Sequence, residues 1–491
     1  THEHADVVLG AAVDDLYDME QFELAIENGR RLIQNYPQTD PAIQRSAWVV
    51  VAHASFDLAE YVQAEDAYMR VLEMTAEEDE SRQSFVDNLA AAIYKQGEQA
   101  NVLEDYRAAA DHFLRIRQLA PTSEIRPAAE YDAGAALMHL EDWETAAQVL
   151  DSFRQAFPDH ELNRDATRQM AFVYRQDGRL SRAAEEYERV SAEAEEPVLG
   201  RESLLLAGEL YEESGAGARA LDVYLRYVEQ FPEPIEIAIE TRYKVAEMHA
   251  AALDLEAYHQ QLAKIVETDG AAGGERTART RYLAAQSALV LAEVMFRQFE
   301  AIDLVQPFDI SLQEKQRYMD QAIAALERLV EYEVGEVTAA ATFYMAEVYY
   351  DFSQSLMDSE RPTDLGMAEL QDYEMVLEEE AYPFEERAIE VHEKNLELMV
   401  AGHFNPWIEK SLGQLAGLMP GRYARFEVSS GFIDSIDTYA YRSPAAPGIG
   451  LDEATTEQLP EDVGEGQTDP LPESEGGTVE QDDAAEAVVT S

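Results

Sequence analysis

An alanine that returns at near-constant spacing governs what this chain can become. Each is followed four residues later by a larger side chain: Ala64/Tyr68, Ala109/Phe113, Ala146/Leu150, Ala183/Tyr187 and Ala220/Tyr224. Residues four apart share one face of a helix, so each pair marks a helical face. Ala25 belongs to the series but is followed by Gly29, a departure from the pattern. The intervals between successive alanines are 39, 45, 37, 37 and 37 residues, and a seventh unit follows 38 residues on, with Tyr258 in the alanine's place. A second small residue lies upstream in each unit, at Ala52, Ala91, Gly134, Ala171, Gly208 and Ala246. Often an apolar or aromatic residue follows it by three, as in Tyr94, Leu137, Tyr174 and Tyr211. Self-similarity at such a period marks a repeat array in which each unit buries its apolar face on its neighbours. Unrelated amphipathic helices would not keep register across six or seven units.

In the sixth unit Leu204, Ala207, Gly208, Tyr211, Ala220, Tyr224 and Pro232 resemble the tetratricopeptide repeat (TPR) slot for slot, and Trp48 fills the tryptophan slot of the second. The resemblance implies an all-α fold, a right-handed TPR superhelical solenoid of antiparallel helix pairs. Small residues would lie where helix backbones approach, and large ones between successive pairs. Pro37, Pro121, Pro158 and Pro232 each follow a second helix, where proline ends it at little cost. The joints Tyr36-Pro37, Phe157-Pro158-Asp159-His160 and Phe231-Pro232 are similar to those of bacterial envelope members of the family, the TolA-binding proteins and outer-membrane assembly lipoproteins. That likeness covers roughly residues 5–270. The stretch from Trp407 to Pro420-Gly421-Arg422-Tyr423 resembles TPR proteins of gliding-motility and TonB-type trans-envelope systems. The chain has no cysteine, so it departs from the lipid-anchored members.

Three regions follow. Residues 1–270 read as about seven regular repeats. Residues 271–425 read as longer, degenerate helical pairs and a C-terminal cap. The run Gly270-Ala271-Ala272-Gly273-Gly274 reads as a flexible break, and 275–332 as two longer helices around Gln306-Pro307. Segments 337–356 and 366–379 read as a pair, and 383–399 with 405–418 as the capping pair. Residues 426–491 read as an extended docking segment and a disordered acidic tail. From Ser443 onward there are thirteen acidic residues, five prolines and no aromatic or basic residue, too little apolar surface to offset chain entropy.

Charge excludes several functions. Lys+Arg total 37 against 98 Asp+Glu, a net charge of −61. Such a surface repels phosphate backbones, so nucleic acid is not a partner. Only six of the 37 basic residues are lysine. A large acidic excess with little lysine suits a salty medium, where counterions screen self-repulsion, a halophilic character. Without cysteine there is no disulfide, thiol catalyst or thiolate metal site. The sequence holds no run long and apolar enough for a membrane helix. The chain opens at Thr1 without a signal-peptide pattern, which suggests a leader or upstream part outside this sequence.

No catalytic, cofactor or metal-binding constellation emerges. The ten histidines are scattered, and zincin, Walker, EF-hand, G-x-S-x-G and dinucleotide motifs do not occur. The function expected is a non-enzymatic protein–protein interaction scaffold. Its expected setting is a periplasmic or cell-envelope complex of the TonB/Tol or motility type; the alternative is a cytoplasmic adaptor or co-chaperone that holds a partner peptide. In the TPR family the first helix of each pair lines the concave face, with ligands held just before and after the small slot. Residue by residue, the resemblance places Val49, His53 and Phe56 there in the second unit, and Tyr131, Ala135 and Met138 in the fourth. It adds Arg168, Phe172 and Arg175 in the fifth, Leu205, Glu209 and Glu212 in the sixth, and Tyr243 and Glu247 in the seventh. The arginines either bind acidic groups of a partner or pair with nearby carboxylates.

Overall fold

Among the described residues of this computed structural model, 4–424 apart from 364, 401 and 403, the chain is helical and no strand occurs. The expected docking segment and acidic tail, 426–491, lie outside the described residues. Seven helical pairs open the fold: α1 (Ala5–Asp18) with α2 (Phe22–Asn35), α3 (Pro41–Asp57) with α4 (Tyr61–Glu73), and α5 (Arg82–Val102) with α6 (Tyr106–Leu119). The fourth and fifth are α7 (Arg126–His139) with α8 (Trp143–Ala156) and α9 (Asn163–Gln176) with α10 (Leu180–Glu193). The sixth and seventh are α11 (Pro197–Glu213) with α12 (Gly217–Gln230) and α13 (Ile235–Ala251) with α14 (Leu255–Ala271). Each helix packs chiefly on the one before and the one after it, as a one-dimensional array requires.

Local chemistry sets the boundaries. Asp105, Asp142 and Asp254 cap the second helices of their pairs, accepting hydrogen bonds from the backbone N–H of Ala108, Thr145 and Ala257. Asp40 caps α3, with Pro41 in the first turn. Between the two helices of every pair one residue takes the left-handed conformation: Glu20, Ala59, Glu104, Glu141, Gly178, Gly215 and Leu253. One turn geometry thus recurs seven times, with glycine in only two of them.

The core follows the repeat. Ala25, Ala64, Ala109, Ala146, Ala183 and Ala220 are all 0% exposed. Their large partners Tyr68, Phe113, Leu150 and Tyr224 are buried, while Tyr187 is half-buried. The upstream small slot lies twelve residues before the alanine, at Ala52, Gly134, Ala171 and Gly208. In the third unit this interval selects Gly97 rather than Ala91, which is only half-buried. A Cβ on Gly97 would stand 2.4 Å from the Phe113 ring, as one on Gly208 would from Tyr224. The first unit reverses the pair: Val13 occupies the small slot and Gly29 the large one, and a Cβ on Gly29 would lie 3.6 Å from Val13.

Beyond α14 the helices lengthen: α15 (Ala278–Glu300), α16 (Phe308–Val330), α17 (Gly335–Asp358), α18 (Met367–Val400) and α19 (Pro406–Leu418). The glycine-rich joint at 270–274 is not a loose break. Asp269, 1% exposed, accepts from Arg276 at 2.7 Å and from the Thr280 hydroxyl at 2.8 Å, tying α14 to the start of α15. Nor do 366–379 and 383–399 form separate helices. They are one helix, α18, which runs through Pro383. Proline removes one backbone bond, but Leu377, Ala381 and Ala388 on either side are buried, and Phe384 packs on Phe352 of α17 at 4.6 Å. Tertiary burial outweighs the lost bond. α19 closes on α17 and α18. There Asn395 donates to the Ala339 carbonyl and the Ser411 hydroxyl, both at 2.9 Å.

Candidate functional site

The candidate residues lie on the first helices of their pairs, three before, one after and four after the small slot. Those positions leave them half-buried or exposed while the slot itself is buried. On α3, Val49, His53 and Phe56 are half-buried. The His53 ring lies 6.0 Å from Tyr17 and 5.7 Å from Tyr68, and burial lowers its pKa from the ordinary histidine value, against the pull of Asp57. Phe56 meets Tyr61 edge-on at 5.3 Å. On α7, Tyr131, Ala135 and Met138 are half-buried, and Tyr131 accepts a hydrogen bond from Gln169 of α9 at 2.7 Å.

The α9 triplet divides in its chemistry. Arg168 pairs with Asp165 one turn back, and it borders a cavity of about 240 Å³ with Arg164 and Glu193. Phe172 stands 40% exposed, supported by Trp143 edge-on at 6.0 Å. Arg175 is exposed and has no carboxylate within ion-pair distance among the described residues. Pairing with neighbours therefore accounts for Arg168 but not for Arg175.

The next two repeats carry the opposite charge. Glu209 is exposed and Leu205 half-buried on α11. Glu212 binds Lys244 of α13 at 2.6 Å and accepts from the Tyr224 hydroxyl at 3.0 Å. Burial raises its pKa, but these two donors outweigh that and hold it below the usual carboxylate value. The Tyr224 hydroxyl, buried beside this pair, is pushed up to about 12. Tyr243 is half-buried with its pKa raised by burial, and Glu247 is exposed.

Bonds that cross from one first helix to the next were not legible in the sequence. Tyr131 to Gln169 and Lys244 to Glu212 are two, and Tyr94 of α5 to Asp132 of α7 is a third. Asp132 is raised by burial even though Tyr94 donates to it. With Gly97 as the slot, Tyr94 and Glu98 join the candidate face in the third unit. The constant twelve-residue interval was the signal that could have found them. Among the described residues no group of three or more acidic or histidine side chains is placed to hold a metal ion. No described helix is long and apolar enough to cross a membrane. A row of aromatic, aliphatic and charged side chains on successive helices is suited to holding a polypeptide by contact.

A tetratricopeptide repeat family model matches residues 128–160 and 202–234, which span α7–α8 and α11–α12 with the joints that follow. No curated protein matches the sequence. Among solved structures the chain is similar to Naa15/Naa10 bound to HypK-THB, at 14% identity over 84% of this chain and 64% of that one, with a TM-score of 0.29. The chain thus spans less than two thirds of that protein's length. It is similar to PilW, a widely conserved type IV pilus biogenesis factor, at 14% identity over 47% of this chain and 96% of that one (TM-score 0.22). It is also similar to the TPR2AB domain of yeast Sti1 in complex with pHSP90, at 14% identity over 54% of this chain and 99% of that one (TM-score 0.21).

Proposed function

We propose that this TPR-type solenoid is a non-enzymatic scaffold that holds a protein segment along its first-helix face, within a bacterial envelope complex of the TonB/Tol or motility type. One observation carries the binding surface: Phe172 is 40% exposed beside Arg175, an arginine without a carboxylate partner among the described residues. Exposed aromatics and arginines are the side chains most often found at interface hot spots. The partner segment rests an apolar side chain on Phe172 and an acidic group on Arg175. Toward α11 and α13, where Glu209 and Glu247 are exposed, it presents basic groups.

The periplasmic setting rests on the Phe-Pro-Asp-His type of joint at 157–160 and on the acidic, cysteine-free composition. A cytoplasmic adaptor is the competing assignment. It is favoured less because some cytosolic family members clamp an acidic C-terminal peptide with a constellation of lysines, arginines and asparagines, and the chain has only six lysines and no such constellation in its sequence. Capture of the native partner from envelope extract tests the surface. Phe172→Ala and Arg175→Glu should each reduce capture, while Asp66→Ala on α4 should not. Equal capture by all three variants removes the first-helix face as the site. Fractionation of the native protein to the cytosol alone removes the envelope setting.

A further inference from the structure

Helices α13, α15, α17 and α19 pack side by side, so the first-helix face continues through them. At each end of this stretch the chain itself shows what an aromatic ring on that face holds. At the near end Lys244 lies 2.6 Å from Glu212 and 3.1 Å from the Tyr224 hydroxyl, with its ammonium 4.9 Å from the Tyr224 ring centre. At the far end the Lys410 ammonium stands 3.9 Å from the Trp407 ring centre and 5.7 Å from that of Phe343. In both places a cation rests against an aromatic face, where the ring quadrupole attracts it.

Between the two lies a third setting of the same kind. Tyr344 of α17 donates to Glu293 of α15 at 3.1 Å, as Tyr224 donates to Glu212. Tyr258, in the place that the other six pairs give to a buried alanine, is half-buried. Its pKa is raised by burial and then by Glu247 and Glu293, so both carboxylates stand near it. Burial and Glu293 push the Tyr344 hydroxyl up to about 12. Phe296 and Trp407 each stand 5.2 Å from the Tyr344 ring, which joins this setting to the ring that carries Lys410. Among the described residues neither Glu247 nor Glu293 has a lysine or arginine within ion-pair distance, and Arg297, one turn past Glu293, pairs with neither. Tyrosine–carboxylate links without a cation also join Tyr17 to Asp57 and Tyr94 to Asp132. The Tyr344 link differs from them in its continuity with a row of rings that already holds an ammonium.

We infer that Glu247, Tyr258, Glu293 and Tyr344 together receive a lysine or arginine side chain of the partner polypeptide. The inference rests on the proposed first-helix face, which it extends past α13. Residues 443–491 hold no lysine or arginine, so that part of the chain does not supply the cation. A partner that meets Arg175 with an acidic group and this site with a basic one is acidic toward α9 and basic toward α17. Its direction along the array is thereby fixed.

The probe is a fluorescein-labelled peptide, Gly-Ser-Leu-Lys-Gly-Lys-Leu-Ser, with glutamate replacing both lysines in its counterpart. Binding to the full chain is measured by anisotropy at physiological ionic strength, where general attraction to the acidic surface is screened beyond a few ångströms. The lysine peptide should saturate and the glutamate peptide should not bind. Glu293→Gln and Tyr344→Leu should each weaken binding about fivefold or more. Glu247→Gln, at an exposed position that makes no hydrogen bond among the described residues, should weaken it without disturbing the fold. Asp66→Asn on α4 removes the same charge elsewhere and should leave binding unchanged. Carbodiimide coupling of the bound peptide, located by mass spectrometry, should fall on Glu247 and Glu293. The inference is overturned if the peptide does not bind, or if Glu247→Gln and Glu293→Gln bind it as the parent does. It is overturned equally if Asp66→Asn weakens binding as much as they do, or if couplings spread evenly over the acidic surface. Phe172→Ala should leave peptide binding unchanged, which separates the two readings. If the native partner is lost by Phe172→Ala but kept by Glu247→Gln/Glu293→Gln, the proposed face stands and this site falls.

Discussion

Gly97 offers the sharpest test of how the repeats are held together. A Cβ added there would stand 2.4, 2.7 and 2.8 Å from Cε1, Cδ1 and Cζ of Phe113. Carbon atoms settle at about 3.5–4.0 Å, so the ring must retreat by about 1 Å. It has little room: Phe113 is 1% exposed and packs against Tyr94 at 5.1 Å. Overpacking of this kind costs about 1–3 kcal/mol. Replacing a helix-interior glycine by alanine returns about 0.5–1 kcal/mol. Gly97→Ala should therefore destabilise its repeat by about 1–2 kcal/mol. Gly413 in α19 is the control, because nothing lies within 4 Å of its Cβ; Gly413→Ala should stabilise by about 0.5–1 kcal/mol. The double variant Gly97→Ala/Phe113→Leu should be less destabilised than the sum of its parts by about 1 kcal/mol. An array opens locally rather than all at once, so the assay is hydrogen exchange of the α5 and α6 amides. Exchange in Gly97→Ala as slow as in the parent, or strictly additive effects in the double variant, would refute the close-packing argument.

Other outcomes follow from the same structure. The turn glycines Gly178 and Gly215 have φ of +72° and +77°, so Gly178→Ala should cost about 1 kcal/mol by hydrogen exchange in α9 and α10. Glu141→Gly should change little, since relief of the left-handed conformation is offset by greater unfolded-state freedom. Burial holds the folded pKa of His53 below its ordinary value of 6.5. Its contribution is therefore intact above pH 6.5 and is lost as pH falls from there toward the folded value; His53→Phe should flatten the acid limb of melting temperature in the α1–α4 region. Self-repulsion at a net charge of −61 predicts that melting temperature rises between low salt and about molar salt; a flat profile removes the halophilic character.

The helical pairs were legible because a buried alanine four residues before a bulky side chain is a local pattern with a fixed period. Ala146 and Ala183, both fully buried, occupy the slots their spacing predicts. The third unit misled because α5 has 21 residues, and the added length moved the small slot from Ala91 to Gly97. The Val13/Gly29 exchange escaped because volume was conserved across two helices rather than at either position. α18 continues through Pro383 because burial on α17 outweighs a local stop signal. On the candidate face, membership in the first helices could be read from register. Which charges are already engaged could not: Glu212 finds Lys244 on another repeat, and only the stacking of pairs reveals that Arg175 finds no carboxylate among the described residues.

The central claim is that a partner lies along the first-helix face at Phe172. Photo-crosslinking tests it most directly, with benzoylphenylalanine replacing Phe172 in one strain and Asp66 in another, each in cells that make the full chain. A discrete protein adduct from position 172, absent from position 66, is the result predicted. No adduct at 172, or the same adducts from both positions, would contradict it.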